Sequence, residues 1–165
     1  MPRIAQLVLM GVAGSGKTTL ALELGRRLGC EVADADAFHP PANVAKMAAG
    51  VPLEDGDRWP WLDAIAGWIR AREAAGRTAV VTCSALKRAY RTKLRISQEV
   101  RFVYLKGTGA MMAERLRARH GHFAGEAILT SQLADLEEPE DALMVEIAKP
   151  PEEIVAEIRK ALDLE

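Results

Sequence analysis

The sequence predicts a three-layer α/β fold, in which a parallel five-stranded sheet carries helices on both faces. Short, nearly continuous apolar segments alternate along the chain with longer segments whose apolar residues recur at helical spacing. Strands covered on both faces have such continuous apolar sequences, and strand–helix alternation builds a parallel sheet. The 165 residues are the length of one domain, so we expect a single domain over residues 1–165.

The first unit is a strand, a glycine-rich loop and a helix. Residues 4–10 (IAQLVLM) form an apolar segment that ends at Gly11, which is typical of a central parallel strand. Residues 17–28 follow with apolar side chains at helical spacing, and Gly29 is the expected C-terminal stop.

The same alternation continues to the end of the chain. A short strand is predicted at residues 31–33, and the prolines at 40–41 separate it from a helix that begins near residue 42. Further strands are predicted at residues 78–83, 101–105 and 143–147, and further helices at residues 59–75, 86–96, 110–119, 126–136 and 151–162.

Composition and charge exclude several classes of protein. At 49% hydrophobic residues the chain is too apolar to be disordered. Basic residues dominate residues 87–119, but the net charge of −1 argues against a nucleic-acid binder. The apolar N-terminal segment is too short to cross a membrane. Cys30 and Cys83 have no metal-ligand spacing, so we expect buried reduced thiols and a cytoplasmic protein.

The loop at residues 11–18 (GVAGSGKT) matches the phosphate-binding pattern GxxxxGK[ST], and we call it the P-loop. A buried strand before it and an amphipathic helix after it supply the context that the motif requires. We expect its backbone N–H groups to surround the phosphates, Lys17 to reach the β and γ phosphates, and Thr18 to coordinate Mg²⁺. The predicted nucleotide-binding residues are Gly11, Val12, Ala13, Gly14, Ser15, Gly16, Lys17, Thr18 and Thr19.

Two aspartates follow the second predicted strand. Asp34 and Asp36 are spaced i, i+2, so an extended segment would place both on one side at the carboxyl end of the sheet, beside the P-loop. One carboxylate could hold a Mg²⁺-bound water, while the other orients or deprotonates an acceptor hydroxyl. The alternative is a pair of solvated turn aspartates.

Other residue patterns narrow the class of P-loop protein. No Asp-x-x-Gly follows a strand and no Asn-Lys-x-Asp sequence is present, which argues against a GTPase switch. The chain is too short for the additional domains of a motor or transporter ATPase. A small-molecule kinase is therefore the favoured class.

Several segments together resemble the gluconate kinase family, whose fold is related to shikimate and adenylate kinases. They lie at residues 10–18 (MGVAGSGKT), 34–62 (DADAFHPPANVAKMAAGVPLEDGDRWPWL), 83–95 (CSALKRAYRTKLR), 102–107 (FVYLKG) and 115–123 (RLRARHGHF). The stretch 38–62 is the most diagnostic, because other small kinases have different substrate helices there. The resemblance implies a P-loop kinase fold that transfers the γ-phosphate of ATP to the 6-hydroxyl of D-gluconate.

The resemblance also assigns roles on the acceptor side. Asp36 resembles the residue that receives the acceptor hydroxyl, and Asp34 the one nearer Mg²⁺. Basic and polar residues suited to a sugar acid lie on the matching segments, namely His39, Arg58, Lys87 and Arg91. For the three long cations the alternative is an exposed helix face, and for His39 a turn residue.

On the nucleotide side, the resemblance implies a small lid at about residues 115–126. Arg115 and Arg119 are one helical turn apart and would stack on adenine and clamp phosphate, with Arg119 counted as catalytic beside Lys17 and Asp36. A closing lid would exclude water. Lys149 and Pro150 resemble the loop that borders adenine.

Two groups of residues have simpler interpretations. Trp61 and Trp68 share one apolar helical face, so we expect core packing and no stacking on a sugar. No third metal ligand is evident near His120 and His122 in the sequence, so we do not expect this pair to bind a metal.

Three departures from the family pattern, Ala13, Ala35 and the pair at 37–38, are small and bear on substrate geometry more than on catalysis.

The alternative functions are another small-molecule kinase, of the shikimate type or with another sugar acid, and a non-catalytic nucleotide-binding module. A homodimer is expected from the resemblance alone.

Overall fold

Five parallel strands form the sheet. The structure is a computed structural model that describes residues 4–120 and 126–164, without the side chains of residues 119, 120, 126 and 127. The strands in the described part of the chain are β1 (Gln6–Met10), β2 (Glu31–Asp34), β3 (Ala79–Thr82), β4 (Val100–Lys106) and β5 (Leu143–Glu146). Their order is β2-β3-β1-β4-β5, and all neighbours pair in parallel. Every residue of the central strand β1 is buried.

Seven α-helices connect or flank these strands in the described residues. They are α1 (Lys17–Leu28), α2 (Pro41–Ala48), α3 (Asp55–Ala74), α4 (Arg88–Leu94), α5 (Gly109–His120), α6 (Glu126–Asp135) and α7 (Pro151–Ala161). The predicted fold class, a three-layer α/β fold with a parallel five-stranded sheet, is confirmed.

Alternate residues of β1 face two separate apolar cores. Leu7 and Leu9 pack in a core with side chains of α1, α5 and α7, whereas Val8 and Met10 pack in a second core with side chains of α3 and α4. Because successive strand residues point to opposite faces, one continuously apolar strand supplies both cores. This explains why the strand sequences do not alternate between apolar and polar.

The strand register brings the carboxyl ends of three strands together at one end of the sheet. Asp34 at the end of β2 pairs with Thr82 at the end of β3, and Thr82 pairs with Leu9 near the end of β1. The chain that leaves β1 runs to one side of the sheet and forms β2, whereas the chain that leaves β3 runs to the other side and forms β4. The direction of the connections therefore reverses between β1 and β3, which makes a topological switch point there. Ligands of open parallel sheets bind at the carboxyl ends of strands beside such a switch.

Helix α3 begins four residues before its predicted start. Glu54 and Asp57 form a capping box, in which the Glu54 N–H donates to Asp57 Oδ2 at 2.9 Å. The cap extends the helix through Pro60, which lies inside it and removes one helical N–H donor. The extra turn places Asp55 and Arg58 on the helix, and both residues line a cavity described below.

The segment after β2 is helical and not extended as predicted. Ala35–Phe38 forms a turn of 3-10 helix, and Asp34 caps it by accepting a hydrogen bond from the Asp36 N–H at 2.9 Å. An aspartate side chain readily accepts from a backbone N–H two residues ahead, and this local bond competes with continued strand. The i, i+2 argument for Asp34 and Asp36 was therefore wrong in its geometry.

Two predictions from composition can be compared directly with the described residues. No helix among them is long and apolar enough to cross a bilayer. Cys30 and Cys83 are free thiols, the second fully buried as expected and the first half-buried.

Candidate active site

The P-loop wraps around the N-terminus of α1. Gly14 has φ +85°, and a Cβ at this position would lie 2.7 Å from the Met112 carbonyl oxygen, so no larger residue fits without a shift of the backbone. Lys17 Nζ donates to the carbonyl oxygens of Gly11 and Val12 at 2.8 and 3.2 Å, so its charge lies over the loop. The helix N-terminus and this ammonium group together favour a bound anion.

A cavity of about 410 Å³ opens over the P-loop, and we call it the P-loop cavity. Its polar or charged lining residues include Lys17, Thr18, Asp34, Asp36, Thr82, Ser84 and Gln132. Cys83 forms part of the wall, and complete burial raises the pKa of its thiol to about 12, so the thiol stays neutral. The cavity gathers the groups that phosphate binding needs.

Thr18 and Asp34 both line this cavity and supply hard oxygen donors, which suit Mg²⁺. No cluster of three or more His, Cys, Asp or Glu side chains that could hold a metal occurs in the described part of the chain. Mg²⁺ in phosphoryl-transfer sites takes few protein ligands, because phosphate oxygens and waters complete its shell. The residues present therefore fit a nucleotide-bound Mg²⁺.

A second cavity of about 930 Å³ adjoins the first, and we call it the acceptor-side cavity. The residues common to both cavities are Asp36, Trp61, Ser84, Ile128 and Gln132. Of the predicted acceptor residues, Asp36, His39, Arg58 and Lys87 line the acceptor-side cavity. The structure thus brings these four together beside the P-loop cavity, with Asp36 at the boundary.

Three donors converge on one carboxylate oxygen in the acceptor-side cavity. Asp55 Oδ1 accepts from the Tyr90 hydroxyl, and it lies 3.3 Å from Lys87 Nζ and 3.5 Å from Arg58 Nη1. Arg58 also donates to the Tyr90 oxygen at 2.9 Å. The Tyr90 hydrogen bond and the neighbouring cations lower the pKa of Asp55, so this carboxylate is ionised and holds the donors in place.

His39 is held by stacking and by one hydrogen bond. Its ring stacks on Trp61 with centroids 4.5 Å apart, and Asn43 Nδ2 lies 3.1 Å from its Nδ1. Burial lowers the pKa of His39, with the Arg58 charge adding to the effect, although Asp36 opposes it. His39 is therefore suited to hydrogen bonding with a hydroxyl and not to pairing with a carboxylate as a cation.

Arg91 is not among the residues that line the acceptor-side cavity, so the structure does not bring it together with the other predicted acceptor residues. Its side chain is buried, and the guanidinium donates to the carbonyl oxygens of Ala85 and Glu137 at 2.7 and 2.8 Å. It is not an exposed helix cation either. These hydrogen bonds connect helix α4 to the chain before it at Ala85 and to the chain after α6 at Glu137.

The other residues predicted to contact the nucleotide lie in different places. Arg115 donates to the Ile147 carbonyl at 2.9 Å, and a Cβ at Gly16 would lie 3.4 Å from its Nη1, so its guanidinium borders the P-loop. Lys149 forms an exposed ion pair with Glu157, and Pro150 precedes α7. The side chains of Arg119 and His120, residue His122 and much of the proposed lid lie outside the described residues.

Sequence reasoning missed several residues of the site. Asp55, Tyr90 and Gln132 were not assigned, and Trp61 was assigned to the core alone. Trp61 is 6% exposed and its Nε1 donates to the Ala35 carbonyl, so it does pack in the core while one face lines both cavities. The spacing of Tyr90 three residues after Lys87, on one helical face, could have indicated it.

The β-sheet order, the P-loop and the two adjoining cavities define a P-loop kinase of small molecules. A protein-family profile described as an AAA domain matches residues 7–139. The gluconokinase of Gluconobacter oxydans (strain 621H) is 47% identical over 156 residues, which cover 92% of this chain and 88% of that protein.

Solved structures agree with this relationship. A gluconokinase from Sinorhizobium meliloti 1021 has a TM-score of 0.84 at 38% identity, covering 99% of this chain and 98% of that one. A sugar kinase from Janibacter sp. HTCC2649 has a TM-score of 0.86 at 44% identity, with 98% and 96% covered. The chain belongs to the gluconokinase family.

Proposed function

We propose that this protein phosphorylates D-gluconate at its 6-hydroxyl with ATP, giving 6-phosphogluconate and ADP. The observation that carries the proposal is the junction at Asp36 of the P-loop cavity with a polar cavity that contains Arg58 and Lys87. The relationship to gluconokinases supports gluconate as the acceptor that fits the second cavity.

On the nucleotide side, the P-loop amides and Lys17 hold the β and γ phosphates of ATP. Thr18 and Asp34 are the residues that would hold Mg²⁺, which neutralises charge on the phosphate oxygens when bound. Arg115 and Arg119 clamp the nucleotide from the lid segment at about residues 115–126, and Lys149 and Pro150 border adenine.

Asp36 accepts the hydrogen bond of the 6-hydroxyl and turns its oxygen toward the γ-phosphate. Phosphoryl transfer passes through a loose transition state that needs little early proton abstraction, so orientation is the larger part of this contribution. The proton passes to the Asp36 carboxylate as the new P–O bond forms. The adjoining cavities supply the path for an in-line approach.

The far end of the acceptor carries a carboxylate, and Arg58 and Lys87 are the cations that recognise it. Both lie within 3.5 Å of the same Asp55 carboxylate oxygen, which holds the two cations side by side in the cavity. His39, being neutral, donates to or accepts from a sugar hydroxyl. Specificity then depends on the distance between the cations and Asp36.

We further propose that residues 1–165 act as one domain in the cytoplasm, where the free thiols of Cys30 and Cys83 would remain reduced. A homodimer is proposed from the family relationship alone.

The position of transfer tests the proposal. The protein is incubated with ATP, Mg²⁺ and D-gluconate, and the product is identified by mass and by phosphorus–carbon coupling in NMR. We expect 6-phosphogluconate, and we expect 6-deoxygluconate to compete with gluconate without being phosphorylated. Phosphate on another carbon, or no competition by 6-deoxygluconate, would contradict the proposed orientation.

A further inference from the structure

Gln132 connects the two cavities from helix α6. Its side chain lines both of them, and its Oε1 accepts a hydrogen bond of 2.6 Å from the Ala13 backbone N–H in the P-loop. The two residues are 119 positions apart in the chain. A contact this short across the fold joins α6 directly to the phosphate-binding loop.

The chain just after α6 is hydrogen-bonded to residues beside the acceptor-side cavity. The Glu137 N–H donates to the Leu86 carbonyl at 2.8 Å, and Glu137 Oε1 accepts from the Arg88 N–H at 2.7 Å. Leu86 and the neighbouring Lys87 line the acceptor-side cavity. These hydrogen bonds connect that wall to the chain after α6, and the Gln132 hydrogen bond connects α6 to the P-loop.

The chemistry of the carboxamide fixes which of its atoms faces which partner. The Ala13 N–H is a donor, so only Oε1 of Gln132 can face it, and the same amide then presents its NH₂ group as a donor. An acceptor hydroxyl must reach the boundary of the two cavities to attack the γ-phosphate. Gln132 lies at that boundary and can donate to an oxygen of the acceptor.

We propose that Gln132 is a positioning residue that couples the bound acceptor to the P-loop, with Oε1 on Ala13 and the NH₂ group on an acceptor oxygen. The inference rests on the proposed function, since it takes gluconate as the acceptor. Each ligand then tightens the binding of the other, because both favour the same arrangement of α6. The coupling also directs the γ-phosphate to the acceptor in preference to water.

Two variants test the coupling, with a matched control. Gln132→Met has a similar length without hydrogen-bonding groups, whereas Gln132→Glu keeps the shape and the acceptor for Ala13 but loses the NH₂ donor. Gln98→Met makes the first substitution at an exposed glutamine outside both cavities. For each protein, the Kd of D-gluconate is measured by calorimetry with and without a non-hydrolysable ATP analogue and Mg²⁺.

We expect the analogue to tighten gluconate binding about 5-fold or more in the wild type and in Gln98→Met. In both Gln132 variants the two Kd values should become nearly equal, and the ratio of acceptor-independent ATP hydrolysis to phosphoryl transfer should rise. A purely structural role would leave that ratio and the coupling unchanged.

Retained coupling in both Gln132 variants overturns the inference and leaves the proposed function intact. Absence of coupling in a wild-type protein that phosphorylates gluconate does the same. A wild-type protein that does not phosphorylate gluconate at all overturns the proposed function, and this inference with it.

Discussion

Asp36 is the acidic residue that lines both cavities in the described part of the chain. Its backbone N–H donates to Asp34 Oδ1, which caps the start of the 3-10 turn on which Asp36 lies. A carboxylate at this point is unfavourable for binding ATP, since it adds negative charge near the phosphates. Its position agrees with the proposed role toward the acceptor hydroxyl.

Replacing Asp36→Asn should lower kcat for gluconate roughly 10²- to 10⁴-fold, the range of a lost general base or orienting group. Nucleotide affinity should stay within about 3-fold, because the variant removes a charge that ATP does not need. Steady-state kinetics and calorimetry with an ATP analogue measure the two effects. Asp63→Asn, at an exposed aspartate paired with Lys93, is the matched control. Unchanged turnover in Asp36→Asn would remove it from the mechanism.

The lowered pKa of His39 should make the free energy of unfolding depend on pH in a defined direction. Its pKa is lowered in the folded protein by burial, so between its folded pKa and its ordinary value of 6.5 only the unfolded chain is protonated. The free energy of unfolding should therefore fall as the pH drops below 6.5, and the loss should level off below the folded pKa. Nearby charges of Asp36 and Arg58 modify the shift in opposite directions.

His39→Phe keeps an aromatic ring against Trp61 and removes the titration. We expect its free energy of unfolding, measured by urea denaturation, to decline less between neutral and mildly acid pH than that of the wild type. Parallel pH profiles for the two proteins would show that His39 has the same pKa in the folded and unfolded states.

The sequence singled out Lys17, Thr18, Asp34 and Asp36 from the P-loop motif and the end of a strand, and His39, Arg58 and Lys87 on the segments that resemble the family. All of these side chains line one or both of the two cavities. The sequence did not predict Asp55, Tyr90 or Gln132. Their roles depend on which helices meet across the cavities, and no local pattern in a single sequence records such contacts.

At the scale of elements, the contact between α4 and the end of α6 holds the acceptor wall together. Arg91 donates to two carbonyl oxygens, one of them at Glu137, and Glu137 in turn binds the chain at Leu86 and Arg88. Burial lowers the pKa of Arg91, but an arginine remains charged at any physiological pH. A buried cation is tolerated here because backbone oxygens satisfy it.

Arg91→Met should lower the free energy of unfolding by about 2–3 kcal/mol, because it leaves the buried Ala85 carbonyl oxygen and the partly buried Glu137 carbonyl oxygen without their donor. Arg88→Met, at the exposed start of the same helix, should change it by about 0.5 kcal/mol or less. Urea denaturation measures both. Equal stability of the two variants would contradict the structural role of Arg91.

Element boundaries show why parts of the fold were harder to predict. Helix α1 was predicted with its observed limits, since a glycine precedes it and another follows it. The predicted start of α3 was four residues late because the apolar helical pattern begins only near residue 59, whereas the capping box at Glu54 and Asp57 sets the true start. The 3-10 turn at Ala35–Phe38 depends on one side-chain cap, which a strand pattern does not reveal.

For the whole molecule, the strand order explains why the two cavities adjoin. Chain segments that follow β1, β2 and β3 meet at one edge of the sheet, and they supply the P-loop, the aspartates and Ser84. Helices α3 and α4 then close the acceptor side from the face that holds the second core. The topology thereby places the P-loop cavity next to the acceptor-side cavity.

The most direct test of this account is an acceptor panel. ADP release is measured with ATP and Mg²⁺ against D-gluconate, glucose, shikimate, AMP, glycerate and no acceptor, and phosphorylated products are identified by mass. We predict strong turnover with gluconate and little with glucose, which has the same 6-hydroxyl but no carboxylate for Arg58 and Lys87. Equal turnover with glucose, preference for another acceptor, or acceptor-independent ATP hydrolysis would contradict it.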